Sequence, residues 1–141
     1  MSESEAKSPA HKSHHHRQAA PERVATTIVT VSDTRTLETD TGGALVEEVL
    51  TQADQPIVGR RIVPDEPEAI RAALDQAIAD TDARAIIFTG GTGIAARDVT
   101  PDVLEPEFDR LIPGFGELFR MLSYEEIGSA ALLSRAIAGL K

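Results

Sequence analysis

Three short apolar runs, each followed by a loop and a helical pattern, constrain the fold of this chain more than any other feature. The predicted strands are the β-branched run 26–31, the run 56–63 and the run 85–88. Apolar residues recur at helical spacing after the first run, at Leu45, Val46, Val49, Leu50 and Ala53, and after the second, at Ile70, Ala73, Leu74, Ala77 and Ile78. Strands that alternate with helices predict an α/β fold with a mainly parallel sheet and right-handed crossovers.

Capping signals predict where the helices begin. Asp40 or Thr41 suits the N-cap of the first helix, and Pro67 suits the first turn of the second. Thr100 is the predicted N-cap of a third helix, with Pro101 following it. We predict further helical pieces around 103–111, around 116–122 and from about 129 to 138, with Gly139 as a stop and a capping box at Ser123 and Glu126.

The third apolar run leads directly into a glycine-rich loop. The loop residues are Thr89, Gly90, Gly91, Thr92 and Gly93. Glycine lets backbone N–H groups approach an anion closely, and the start of the next helix adds favourable partial charge. The loop therefore predicts a phosphorylated small molecule as the ligand.

The distribution of histidine, lysine and cysteine excludes several kinds of site. Every histidine lies within residues 11–16, the segment 24–140 contains no lysine, and the chain contains no cysteine. A Walker-type phosphate loop needs a lysine, a Ser-His-Asp triad needs an imidazole, and a structural zinc site needs Cys or His. The chemistry must therefore use carboxylates, hydroxyls, arginines, backbone amides and a hard cation such as Mg²⁺.

Polar loops follow each predicted strand. In an open parallel sheet, ligands bind at the carboxyl ends of the strands, so these loops are expected to converge. The converging residues are Ser32, Asp33 and Thr34 after the first strand, Asp65 after the second, and 89–98 after the third. Asp65 and Asp98 could jointly hold Mg²⁺ on the phosphates of a nucleotide, because Mg²⁺ favours one or two carboxylates plus phosphate oxygens.

Each of these residues also has a structural interpretation. Asp65 could cap the helix that begins near Pro67, and the sequence alone favours that interpretation. Asp98 could pair with Arg97 or cap the following helix, and Asp33 could form an Asx turn. In the same way, the stretch 114–117 could be a turn into a helix and Arg120 a surface residue.

Charge and composition indicate which partners the protein is suited to and which part of the chain folds. The net charge is −9 and falls in the folded part, because the tail holds four basic and three acidic residues. An acidic domain without a basic stripe is a poor candidate for nucleic acid, and no apolar run or leader indicates a membrane or secretion. We expect a cytoplasmic protein with a disordered tail over residues 1–23, in which His14, His15 and His16 resemble a tag, and one domain over 24–141.

An ordered series of motifs resembles the MoaB/MogA family of molybdopterin-binding proteins. The motifs are Thr30-Val31-Ser32-Asp33-Thr34-Arg35, Asp40-Thr41-Gly42, Pro64-Asp65, Thr89-Gly90-Gly91-Thr92-Gly93, Arg97-Asp98-Val99-Thr100-Pro101, Pro113-Gly114-Phe115-Gly116-Glu117, Phe119-Arg120 and Ser134-Arg135-Ala136. The resemblance covers residues 24–140, and the segments 121–123 and 125–128 are closer to the MoaB branch.

The resemblance implies a three-layer α/β/α domain that binds molybdopterin, a pterin with a dithiolene and a terminal phosphate. Active members use ATP and Mg²⁺ to adenylylate that phosphate and release pyrophosphate. Asp65 and Asp98 match the acidic residues of active members. The alternatives are a molybdopterin carrier without nucleotide chemistry and an oligomeric scaffold.

The resemblance also implies substrate-binding positions in the C-terminal part of the chain. They are Gly114, Gly116, Glu117, Arg120 and Ser134. The expected role of Arg120 is to help place the anionic substrate. It implies a homotrimer or, in the MoaB branch, a homohexamer. Family members continue with another strand and a Pro-Gly-Ser loop, so we expect the natural chain to extend beyond Lys141.

Overall fold

A computed structural model describes residues 21–141 of the chain. The strands are β1 (Thr26–Val31), β2 (Ile57–Val63), β3 (Ala85–Thr89), β4 (Arg110–Leu111) and β5 (Gly139–Leu140). The α-helices are α1 (Thr41–Gln52), α2 (Pro67–Ala79), α3 (Thr100–Leu104) and α4 (Pro113–Ile127), and 3₁₀ turns cover Glu105–Glu107 and Gly128–Leu133. Residues 1–20, which hold most of the predicted tail and all its histidines, lie outside the described residues.

The main sheet is parallel and has the order β2-β1-β3. Strand β1 pairs with both neighbours, and Ile28 and Val29 are fully buried at its centre. All three predicted strands are confirmed, and so is the α/β class. Among the described strands, β3 pairs with β1 alone, and it is half-buried along its length.

One face of the sheet carries the main hydrophobic core. Strand β1 contributes Val31, α2 contributes Ile70 and Leu74, and α3 contributes Val103 and Leu104. These side chains are at most 7% exposed. Burying a Leu or Ile side chain stabilises a fold by about 1.5–3 kcal/mol, so this cluster holds both helices against β1 and fixes the loops that precede them.

Helix α1 begins as predicted, with Asp40 as its N-cap. The Asp40 carboxylate accepts the Gly43 N–H at 2.9 Å and the Thr30 hydroxyl at 2.7 Å. Burial opposes ionisation of this group, but these bonds and the Arg60 guanidinium at 3.1 Å outweigh it and lower the pKa of Asp40. The buried cap therefore ties the loop after β1 to both β1 and β2.

The predicted apolar face of α1 is wrong in part. Gly43 is buried against Asp40 and Thr30. Val46 and Leu50 lie on the same side of the helix as Gly43 at about 100° per residue, and they are half-buried. Leu45 and Val49 lie roughly opposite and are 59% and 56% exposed, so the sheet-facing stripe is narrower than the sequence pattern indicates.

The C-terminal part departs most from the sequence prediction. The helix predicted around 103–111 is a short α-helix, a 3₁₀ turn and strand β4, and the helix predicted from 116 begins already at Pro113. The helix predicted from 129 to 138 is absent: Gly128, at φ 64°, ends α4, and a 3₁₀ turn and an extended segment follow. The predicted capping box is also wrong, because Ser123 lies inside α4 and donates to the Phe119 carbonyl at 2.8 Å.

No helix among residues 21–141 is long and apolar enough to cross a membrane.

Candidate functional site

Asp33 joins the loops that follow β1, β2 and β3. Its Oδ1 accepts the backbone N–H of Asp65 at 3.0 Å, and its Oδ2 accepts from the Arg97 guanidinium at 2.5 Å. The Asp65 amide, and then Arg97, lower the pKa of Asp33. The expected convergence of the strand ends is therefore present in the structure. The side chains of Asp33 and Arg97 bind each other. The Asx-turn interpretation of Asp33 is therefore wrong, and so is the predicted pairing of Arg97 with Asp98.

The Asp65 carboxylate lies against the glycine loop. A Cβ atom on Gly91 would lie 3.2 and 3.3 Å from its two oxygens. Asp65 Oδ1 is buried and has no hydrogen-bond partner among the described residues. The capping interpretation of Asp65 is wrong, because Glu66 occupies the N-cap position of α2, where it makes no side-chain capping bond.

The surroundings of Asp65 disfavour its charge. Burial raises the pKa of Asp65, and the negative charges of Asp33 and Asp98 raise it further. The backbone amide of Val99 and the charge of Arg97 offset part of this effect. A buried carboxylate oxygen without a partner costs free energy, so this group is poised to gain from a cation or a hydrogen-bond donor on a ligand.

Asp98 lies at the other end of the same loop and is anchored there. Its Oδ2 accepts the Ala95 N–H at 3.1 Å, and its own N–H donates to the Ala95 carbonyl at 2.9 Å. A Cβ atom on Gly93 would lie 2.7 Å from the same Oδ2. Asp98 is not a helix cap, because Val99 occupies the N-cap position of α3. The two acidic residues thus lie beside Gly91 and Gly93 of a single loop.

The glycine loop has a backbone conformation that other residues rarely adopt. Gly90 and Gly91 have φ angles of 93° and 65°. A side chain on Gly90 would collide with the Val31 carbonyl at the end of β1. Thr100 holds the loop from the other side, since its hydroxyl donates to the Gly90 carbonyl at 2.9 Å and its N–H to the Gly91 carbonyl at 3.1 Å.

The prediction that Thr100 is the N-cap of α3 is wrong. It is the first residue of α3, after the Val99 N-cap, and its hydroxyl binds the loop and not the helix. Thr89 is the last residue of β3 and pairs with Thr30 of β1, and Thr92 accepts the Arg135 N–H at 2.9 Å through its carbonyl.

The loop after β1 borders a cavity of about 470 Å³. Ser32, Asp33 and residues 60–64 of β2 and its end line this cavity. The Ser32 hydroxyl oxygen accepts the N–H groups of Thr34 and Arg35 at 3.3 and 3.1 Å, so it stabilises the turn itself. Thr34 is exposed beside it.

The C-terminal candidate residues lie mostly around a second cavity of about 270 Å³. Gly116, Glu117 and Arg120 of α4 line it together with residues 136–138. Arg120 donates to the carbonyls of Ser134 and Ala136 at 3.2 and 3.4 Å, and a side chain on Gly116 would collide with the Ala136 carbonyl. Gly114 differs from the others, because nothing lies within 4 Å of the position of its Cβ.

The sequence interpretation missed the role of Arg135 in this region. Arg135 donates to the carbonyls of Gly93 and Asp98, and its Nη1 forms an ion pair with both carboxylate oxygens of Asp102 at 2.8 and 2.9 Å. The ion pair lowers the pKa of Asp102. One sequence signal was available: Arg135 is the only charged residue between Ala130 and Leu140.

The side chains of the site restrict which metal ions it could bind. Among residues 21–141, no group of three or more His, Cys, Asp or Glu side chains is arranged to hold a metal ion. A cation at this site would therefore depend on ligand oxygens in addition to carboxylates. Mg²⁺ on phosphate oxygens is bound in this way.

Comparison with known sequences relates this chain to one protein family. The sequence profile of a family described as a probable molybdopterin binding domain matches residues 27–140. Molybdenum cofactor biosynthesis protein B of Bacillus subtilis (strain 168) is 48% identical over 126 residues, which are 89% of this chain and 74% of that protein.

Solved structures extend the comparison to the fold. The crystal structure of a molybdenum cofactor biosynthesis protein B matches with a TM-score of 0.80 at 48% identity, over 85% of this chain and 75% of that one. That of the tungsten cofactor synthesizing protein MoaB from Pyrococcus furiosus matches with a TM-score of 0.75 at 38% identity, over 86% and 76%. These matches define an α/β domain of the molybdopterin-binding class. This chain belongs to the molybdopterin-binding domain family that includes the molybdenum cofactor biosynthesis proteins B, and the resemblance drawn from its motifs is confirmed.

Proposed function

We propose that this protein binds molybdopterin and transfers AMP from ATP to its terminal phosphate. The observation that carries the proposal is the seating of two carboxylates, Asp65 and Asp98, beside Gly91 and Gly93 of one phosphate-type loop. In the reaction, an oxygen of the molybdopterin phosphate forms a bond to the α-phosphorus of ATP. The bond from that phosphorus to the bridging oxygen breaks, and pyrophosphate leaves with the electron pair.

The acidic residues fit Mg²⁺. Asp65 Oδ1 is buried without a partner among the described residues, and burial together with neighbouring negative charge raises the Asp65 pKa, so a cation would relieve these costs. Asp65 and Asp98 would hold the ion. When bound, Mg²⁺ supplies neutralisation of the charge on the phosphate oxygens.

The protein groups position the phosphates. Backbone N–H groups of the loop 90–93 approach the anion closely, because its glycines have no side chains there. Asp33 and Arg97 hold the three loops together, and the Thr100 hydroxyl binds the Gly90 carbonyl. Such preorganised groups contribute most where charge is transferred, because they need no rearrangement during the reaction.

We assign the second cavity to molybdopterin. Glu117 and Arg120 face this cavity, and Ser134 adjoins it through its bond to Arg120. Arg135 lies next to Ser134 and contacts the glycine loop, so the two regions are continuous along the chain. Arg120 offers positive charge to the anionic substrate.

An assay for adenylylated molybdopterin, made with purified protein, ATP and Mg²⁺, tests the proposal. The wild-type protein should form the product and release one pyrophosphate for each AMP transferred. Asp65→Asn and Asp98→Asn should each reduce transfer by about 100-fold or more with the fold intact. The matched control is Asp75→Asn on the exposed side of α2, which should retain full activity. Full activity in either site variant would overturn the assignment.

A molybdopterin carrier without nucleotide chemistry is the second candidate. The observation that favours it is the lack of a three-ligand acidic group among residues 21–141. Isothermal titration separates the two functions. ATP binding that requires Mg²⁺ supports the transferase, and molybdopterin binding without ATP binding supports the carrier.

We also propose that the domain spans residues 24–141 and acts in the cytoplasm as a homotrimer or homohexamer. Large apolar side chains of α4 and the 3₁₀ turn after it are strongly exposed in the single chain, and the most exposed are Leu118, Met121, Leu122, Tyr124, Ile127 and Leu132. A monomer seldom exposes so many large apolar side chains on one segment, which supports an assembly. Light scattering with size-exclusion chromatography tests it, and a monomer at micromolar concentration would contradict it.

A further inference from the structure

Arg135 connects the C-terminal segment to both ends of the stretch that carries Asp98. Its Nε donates to the Gly93 carbonyl at 2.9 Å, and its Nη2 donates to the Asp98 carbonyl. Its backbone N–H donates to the Thr92 carbonyl at 2.9 Å. One residue therefore spans the five-residue distance between the last loop glycine and the second carboxylate.

The orientation of the guanidinium is itself fixed. Nη1 donates to both carboxylate oxygens of Asp102 on α3, at 2.8 and 2.9 Å. Helix α3 is anchored in the core by Val103 and Leu104. A planar guanidinium held in this way at Nη1 presents its remaining N–H groups in a set direction, which an ammonium on a flexible stem cannot reproduce.

We propose that Arg135 is a positioning residue that sets the separation between the glycine loop and Asp98. Its role in catalysis rests on the proposed AMP transfer, but its effect on the loop does not. The segment 94–97 between the two bonded carbonyls is exposed, and its other restraints are the two bonds between Asp98 and Ala95 and the pairing of Arg97 with Asp33. Without the guanidinium, the loop would open more often and the Asp98 carboxylate would leave its place beside Gly93.

Hydrogen exchange of the free protein tests the effect on the loop. In Arg135→Gln, exchange over residues 91–98 should rise about tenfold, whereas the β1 peptide should be unchanged. Arg135→Lys should give an intermediate increase, because one ammonium cannot bind three acceptors in these directions. Asp102→Asn keeps both carbonyl bonds and should raise exchange less than Arg135→Gln. Arg71→Gln, which removes an exposed arginine that faces Glu107 at 3.8 Å, is the control and should not change the loop.

Two functional measurements distinguish positioning from general stability. The kcat of Arg135→Gln should fall about 10- to 100-fold, whereas the Kd for molybdopterin without ATP should change less than twofold. Guanidinium at millimolar concentration should restore part of the activity of Arg135→Ala, and a merely structural role would not respond to it.

Loop exchange in Arg135→Gln within twofold of wild type would overturn the proposal, and so would an equal increase throughout the domain. If the wild-type protein does not transfer AMP, the proposed function fails, but the exchange results still decide the role of Arg135.

Discussion

The two ends of the glycine loop hold acidic residues in opposite situations. At one end, Asp65 is half-buried beside Gly91, its Oδ1 is buried without a partner among the described residues, and its pKa is raised. At the other end, Asp98 accepts the Ala95 amide and its backbone is bound by Arg135. The second carboxylate is held by a backbone donor, whereas Oδ1 of the first has none among the described residues. Residues that lower the stability of the folded state are characteristic of functional sites. Asp65 is therefore the stronger candidate for ligand binding.

This comparison separates two effects that a mutation can have. A residue whose only partner is a ligand should lose activity on substitution without losing stability. A residue that also holds the loop should lose both. Measuring both activity and stability of variants at each end of the loop distinguishes the two situations.

Asp65→Asn should have the largest effect on activity. We expect AMP transfer to fall by about 10²–10³-fold, the range typical of losing one preorganised electrostatic group. Its pKa is raised above 3.8 in the folded state, so ionised Asp65 destabilises the fold, and that cost grows as the pH rises through the folded pKa. Urea unfolding at pH 7 should therefore show equal or greater stability. A clear loss of stability would mean that Asp65 has a structural partner.

Asp98→Ala should reduce activity and stability together. The variant removes the acceptor for the Ala95 N–H, which costs about 0.5–1.5 kcal/mol for a typical hydrogen bond. We expect AMP transfer to fall about 100-fold, because the loop and the carboxylate are lost at once. Stability equal to wild type, measured by the same urea titration, would show that the anchored description of Asp98 is wrong.

The N-terminal part of the fold was predictable because its signals are local. Strand β1 is β-branched throughout, Asp40 is a strong N-cap, and Pro67 marks the first turn of α2. The convergence of the loops followed from the rule for parallel sheets. The partners within the site did not follow, because the pairing of Asp33 with Arg97 joins residues 64 positions apart.

The C-terminal part was less predictable because its local signals conflict. The stretch after Gly128 is rich in alanine and leucine, which favour a helix, but Arg135 is drawn to the loop and residues 139–140 pair with β4. Tertiary contacts override the helix propensity there. The capping-box pattern at Ser123 failed for a similar reason, since a continuous helix already occupied both positions.

Gly93→Ala tests whether the Asp98 end tolerates a single methyl group. Its Cβ would lie 2.7 Å from the Asp98 carboxylate, so one of the two groups must move. We expect about a tenfold loss of AMP transfer with a modest loss of stability. Gly59→Ala in β2 is the matched control, because the atoms nearest to that Cβ position lie at 3.5 Å or more, an ordinary contact distance, and alanine there should leave activity unchanged. Equal activity in both variants would show that the position of Asp98 is not critical.

Arg97→Gln should produce the smallest change, a shift in pH dependence. Arg97 lowers the pKa of Asp65 through its charge, so its removal raises that pKa and moves the acid limb of the activity profile to higher pH. Arg97 also lowers the pKa of Asp33, whose stabilising effect is present above 3.8 and is lost as the pH falls through the folded pKa. The variant should therefore lose less stability than wild type on acidification. Arg84→Gln, the same change of charge at an exposed position, is the control; an equal shift there would mean that net charge, and not the contact of Arg97 with the site, sets the profile.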